Sequence, residues 1–339
     1  GKFVKEDYLP GSINPPARIT RPELFKFVES ELLACATDLK DAKTNQYARA
    51  DKAAAWALLA RLYLNAQVYT GTARYADVIT NCEKVIGAGY SLKSKYADLF
   101  LADNDKNNTE TILPVAFDGL RIQSYGGSTY MIHASVGGKM NASEFGINGG
   151  WGGLRTTKAY VNLFPAADLR GNFFKDGQSL EINDLGSFSD GYAFVKYKNV
   201  TSTGVKGSDG AGNFADTDIP LLRLGDVYLM YAEAFARGGG GDAAKALGFV
   251  NALRARANAP VVSVLTPNFI LDERARELGW EMTRRTDLIR FNKFTTSEYL
   301  WPWKGGVKDG VAVSNFRNLY PIPAKDIIAN PNLIQNPGY

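Results

Sequence analysis

Apolar residues recur every three to four positions over residues 51–90, and the pattern breaks once, at Thr70-Gly71-Thr72. Ala53, Ala54, Ala57, Ala60 and Leu64, widened by Trp56, Leu59 and Tyr63, predict one amphipathic helix. Tyr75, Val78, Ile79, Cys82 and Ile86 predict a second, stopped by Gly87 and Gly89. Residues 222–257 repeat the plan. Val227, Met230, Tyr231, Ala234 and Phe235 make one face, four glycines at 238–241 make the turn, and Ala243, Ala246, Leu247, Val250 and Leu253 make the second face.

Each pair carries small residues where a neighbouring helix must approach, which is the tetratricopeptide pattern, a unit that buries its apolar face by stacking on others. The expected fold is therefore mainly α, with tetratricopeptide-like helix pairs framing a loop-rich subdomain with short strands. A further helix is expected after Arg21-Pro22-Glu23, where proline is tolerated in the first turn. Residues 1–20 read as extended.

Between the pairs the periodicity fails. Residues 111–117 form an apolar strand candidate, and glycine over residues 118–157 is too dense for a regular helix or strand. Residues 156–164 read as a helix and 173–200 as β-structure, followed by a Gly/Ser/Asp loop over 201–218. Residues 271–291 read as one charged helix, and a proline-containing tail over 320–339 runs across the surface. The organisation expected is a single unit over 1–339, with a helical part at 21–105, a loop-rich insert at 106–217, and the second pair, charged helix and tail at 218–339.

Composition narrows the function. At 339 residues with 45% apolar content the chain can bury a core. A net charge of +4, with both signs mixed, gives no basic stripe for nucleic acid. No run of about 18 apolar residues spans a membrane. The chain opens at Gly1 without a methionine or a signal peptide, as a processed or trimmed product would.

Catalytic chemistry finds little support. His133 is the single histidine. Cys35 and Cys82 both fall in helical patterns and read as buried thiols, with a disulfide between neighbouring helices as the alternative. Glu273, Glu277 and Glu281 are spaced four apart, as paired acids of a glycosidase might be. Arg274, Arg276, Arg284 and Arg285 interleave with them, and pairing with arginine lowers a carboxylate pKa, which suits structure better than proton transfer. Asp209, Asp216 and Asp218 are calcium candidates, but their spacing matches no standard calcium loop, and a solvated acidic loop is the better reading. No cofactor motif is present, and calcium is the one ion left open.

The insert carries the binding chemistry. Tyr125 precedes Gly126-Gly127, Tyr130 follows closely, and Trp151 lies between Gly149-Gly150 and Gly152-Gly153, so no neighbouring side chain screens its ring. Such rings can cover the C–H face of a sugar while amides or guanidinium groups bond its hydroxyl rim. Asn148 and Arg155 are the hydroxyl-binding candidates.

Four stretches then carry a resemblance: WALLARLYLNA at 56–66, LLRLGDVYLMYAEA at 221–234, LDERARELGWEMTRRTDLIRFNKF at 271–294, and the ending YPIPAKDIIANPNLIQNPGY. The chain resembles the SusD/RagB family of outer-membrane nutrient-binding lipoproteins, over roughly the C-terminal two-thirds of a member. GINGGWGGLRTT at 146–157 is similar to the starch-binding branch. The resemblance implies a surface lipoprotein that captures starch-type oligosaccharide without cleaving it and delivers it to a SusC-like TonB-dependent transporter. It also implies a curved platform of two tryptophans and a tyrosine, in which Trp151 fits one tryptophan and Tyr125 or Tyr130 the tyrosine, the other tryptophan coming from an N-terminal part. Two other classes remain: a glycoside hydrolase using Asp118, Glu144 or Asp168, and a tetratricopeptide-type protein-binding adaptor.

Overall fold

A computed structural model describes residues 15–339 of the chain. The expected extended reading of residues 1–20 falls largely outside them. Helix α1 (Arg21–Asp38) opens on a capping box, in which Thr20 accepts from the Glu23 amide and Glu23 reaches back to Thr20. Helix α2 (Lys52–Leu64) is capped by Asp51, whose carboxylate accepts from the amides of Ala53 and Ala54. The expected single helix then breaks at Asn65, and one further turn, α3 (Ala66–Thr70), ends on Gly71. Helix α4 (Tyr75–Gly87) completes the first pair.

Strand β1 (Thr111–Val115) leads into the insert. There the glycine-based expectation fails in one place: α5 (Gly127–Ser135) is a helix of nine residues. Its glycines bound it rather than interrupt it. Helix α6 (Lys158–Val161) is a single turn, and the expected β-region contracts to β2 (Phe173–Phe174) and β3 (Ala193–Phe194), an antiparallel pair. Strand β4 (Ile219–Arg223) pairs antiparallel with β1, so the two ends of the insert are tied together. Beyond it come α7 (Leu224–Ala236) and α8 (Ala243–Arg256), then α9 (Pro267–Leu278), α10 (Arg284–Arg290) and α11 (Ala324–Ala329). The charged helix expected over 271–291 is thus two helices. Trp280 and Met282, both with positive φ, turn the chain between them.

The two pairs are distant in sequence but adjacent in space. α1 packs on α2, α2 on α4, α4 on α7, and α7 on both α8 and α9. Ala53, Ala54, Ala57 and Ala60 are sealed in this stack with Val78, Cys82, Val227, Met230 and Ala246. Alanine at the contact lets the helix backbones approach closely. Cys82 belongs to this core, and burial pushes its thiol up. Cys35, by contrast, is exposed on α1, which corrects the expectation of two buried thiols, and neither cysteine is in a disulfide. A second core joins Ile132, Phe145, Ile147, Ala193 and Tyr197 of the insert to Tyr96 and Phe100 of the segment before it.

Between helical frame and insert lies a buried ionic network. Arg170 binds Asp168 through two nitrogens and reaches Glu273 at 2.8 Å and Glu277 at 3.0 Å. Arg223 joins Glu110, Glu277 and Glu281, at 2.9, 2.7 and 2.7 Å. Burial alone would push the Glu277 carboxyl up. Arg256, Arg223 and Arg170 overcome that and hold it well below the usual carboxylate range. The glutamates of α9 are thus structural, as their interleaved arginines suggest, although most of the pairing arginines come from other segments. No helix among the described residues is long and apolar enough to cross a membrane.

Candidate functional site

The last carbonyls of a helix have no partner within it. In α5 they are taken up by the segment that carries Trp151. The Trp151 amide donates to His133 O at 2.7 Å, Gly152 to Val136 O at 2.9 Å, and Gly153 and Leu154 to Ala134 O at 2.8 and 2.7 Å. This close approach requires the glycines. A Cβ on Gly150 would lie 2.1 Å from the Val136 carbonyl oxygen, and Gly152 has φ +61°. The indole is therefore positioned by its backbone, across the end of the helix.

One face of the indole is covered. The imidazole of His133 stacks on it, with centroids 4.7 Å apart and planes 21° from parallel. His133 is itself buried, its Nδ1 2.7 Å from Gly149 O and its Nε2 3.1 Å from Asn213 O. The single histidine is thus a wedge beneath Trp151, with a carbonyl oxygen beside each ring nitrogen, rather than a catalytic base.

The remaining surface is open: Trp151 is 46% exposed, Tyr125 64% and Tyr130 45%. The Tyr125 and Tyr130 centroids lie 6.1 and 6.2 Å from that of Trp151, with planes inclined at 54° and 55° to it. Trp151, Tyr125 and Tyr130 thus form one exposed aromatic cluster in which both tyrosine rings are inclined to the indole. Phe145, in the same glycine-rich stretch, is instead buried in the insert core.

The polar candidates divide. Asn148 is exposed and donates from Nδ2 to Asn213 Oδ1 at 2.6 Å, on the same residue whose carbonyl holds His133. It stands at the edge of the aromatic cluster. Arg155 is turned elsewhere: its Nη2 donates to Leu185 O at 2.8 Å, and it lines a separate cavity with Tyr160, Trp280 and Arg284.

Two residues escaped the sequence reading. Phe214 packs against Tyr125 with centroids 5.2 Å apart, and Asn213 bonds both His133 and Asn148. Both lie in the acidic loop, which is shaped by Asp209, whose carboxylate accepts from the amides of Ala211, Asn213 and Phe214. The fixed loop was signalled by Asp-Gly and Gly-Asn steps. Its destination was not.

The calcium candidates are occupied as hydrogen-bond acceptors. Beside Asp209, Asp216 accepts from the Gly119 amide and the Ser208 hydroxyl, and Asp218 from the Phe117 amide and the Tyr47 hydroxyl. Among the described residues no group of three or more acidic, histidine or cysteine side chains converges as a metal site would. The carboxylates considered for hydrolysis are also engaged: Asp168 is buried on Arg170, and the hydrogen bond from Arg121 lowers the Asp118 carboxyl. Glu144 is exposed on a 3-10 turn, Ala142–Phe145.

Comparison with known proteins now adds identity to geometry. The sequence model of the SusD family matches residues 172–339. The chain is 36% identical, over 94% of its length, to the starch-binding protein SusD of Bacteroides thetaiotaomicron, and it spans 65% of the length of that relative. Among solved structures, a SusD-like carbohydrate-binding protein from Bacteroides fragilis superposes with a TM-score of 0.78 at 19% identity, covering 98% of this chain and 75% of the other. Surface glycan-binding protein A of Bacteroides thetaiotaomicron, in complex with laminarihexaose, superposes with a TM-score of 0.72 at 23% identity, covering 94% and 72%. The helical stack, the short strands and the sequence match agree: the chain belongs to the SusD family.

Proposed function

We propose that the chain binds starch-type oligosaccharide on the surface made by Trp151, Tyr125 and Tyr130, and presents it, uncleaved, to a SusC-like TonB-dependent transporter at the outer membrane as part of a surface lipoprotein. The observation that carries the binding step is the cluster of three exposed rings, with both tyrosines inclined to the indole. A helical α-glucan presents a curved outer face of C–H groups, and rings inclined by about 55° to the indole can follow it where one flat ring cannot. Asn148 then supplies an amide at the rim for hydroxyl groups. The starch-binding relative supports the choice of glucan. Binding without cleavage is supported by the engagement of Asp168 with Arg170 and of Glu273 and Glu277 within the ionic network.

Titration calorimetry with maltoheptaose, laminarihexaose and cellohexaose tests the specificity. Preference for maltoheptaose is expected, with no shortened products on prolonged incubation. Equal affinity for the straight β-1,4 chain would remove curvature as the basis of selection, and any turnover abolished by Glu144→Gln would overturn the non-catalytic reading.

A further inference from the structure

Arg155, absent from the aromatic surface, points to a second site. With Tyr160 and Arg284 it lines a cavity of about 250 Å3 whose other walls include Ala275, Leu278 and Trp280. Four atoms of these three polar residues are shut off from solvent yet have no hydrogen-bond partner among the described residues: Arg155 Nε and Nη1, Tyr160 Oη and Arg284 Nη2. The other such atoms fall singly on six different residues. Buried polar groups are normally paired, because an unmade bond leaves their desolvation uncompensated. A concentration of orphans on one cavity is therefore a property of that cavity.

The set has one chemical character. Both guanidinium groups are anchored through a single nitrogen to a backbone carbonyl, Arg155 to Leu185 O and Arg284 to Leu271 O, each at 2.8 Å. Arg155 Nε and Nη1 and Arg284 Nη2 are left to donate. No carboxylate lines the cavity, and the acid paired with Arg284, Asp272, lies 4.0 Å from its Nη2, beyond hydrogen-bond reach. The Tyr160 hydroxyl is admitted because residue 279 is glycine, where a Cβ would come within 1.8 Å of the oxygen. Cationic donors and a phenol thus stand against an apolar wall of Ala275, Leu278 and Trp280.

We propose that this cavity binds a small organic anion: a carboxylate on a compact, partly apolar body of about the size of one sugar ring, bound by Arg155, Tyr160 and Arg284. A free acid and the uronate unit of an acidic glycan share this chemistry. The site is independent of the aromatic surface and does not rest on its assignment.

Calorimetric titration of the whole chain with sodium glucuronate, sodium benzoate, a glucuronate-containing trisaccharide and glucose tests it, with melting temperatures measured in parallel. Glucuronate or benzoate is expected to bind at millimolar concentration or below, and glucose not. Binding of the trisaccharide identifies a glycan source, and its exclusion identifies a free acid. Arg155→Gln and Tyr160→Phe, the latter removing one oxygen, are each expected to weaken binding about tenfold or more. Absence of binding by both glucuronate and benzoate, or affinities unchanged in both folded variants, would overturn the proposal.

Discussion

Trp151 is fixed by its backbone and by the imidazole stacked on it, and the residue is still 46% exposed. The glycines around it serve two ends, exposing the ring and letting the chain meet the end of α5. Gly150→Ala places a methyl against the Val136 carbonyl, so the segment must shift. A stability cost of about 1–3 kcal/mol is expected, read by denaturant unfolding, together with weaker maltoheptaose binding. An unchanged midpoint and affinity would show that the contact is slack. At this scale the aromatic candidates were readable because glycine neighbours mark an unscreened ring. Phe214 was not, since its place beside Tyr125 depends on a loop 89 positions away folding back, and no local pattern encodes that return. Arg155 illustrates the opposite difficulty: proximity in sequence to Trp151 does not set the direction of a long side chain.

The elements were most legible where periodicity was long. α2, α4, α7 and α8 appear where their apolar stripes place them, and alanine at the interfaces marked helix contacts. Ala60 has no exposed surface. Ala60→Trp should overpack its contact and cost roughly 1–3 kcal/mol, and an unaltered melting temperature would argue against its place in the stack. The difficulties lay where a count of glycines replaced their positions. α5 was hidden because glycines lie at its ends, where they stop a helix, rather than within it. The charged helix looked continuous because the turn at 279–283 is built on positive φ at Trp280 and Met282, which composition does not announce.

Across the whole molecule, the ionic network joins frame to insert. Glu277 meets three arginines, so Glu277→Gln leaves buried cations uncompensated and should cost roughly 3–5 kcal/mol; denaturation at neutral pH reads it, and a cost below that of a surface mutation would contradict it. The folded Glu277 carboxyl ionises well below its ordinary value of 4.5. The unfolded chain therefore binds the proton first as pH falls, and the stability that Glu277 contributes is present above about pH 4.5 and lost progressively below it. Urea unfolding should show that decline in the wild type and a shallower one in Glu277→Gln. All of this rigidity holds a small open surface, on which the proposed glucan binding depends on Trp151. Titration of maltoheptaose into wild type and Trp151→Ala, with unfolding followed on the same samples, tests it most directly. The variant is expected to lose affinity by about tenfold or more, with a melting temperature close to that of the wild type. Undiminished affinity, or a loss of ~3–5 kcal/mol of stability as for a buried core residue with binding retained in the folded fraction, would contradict it.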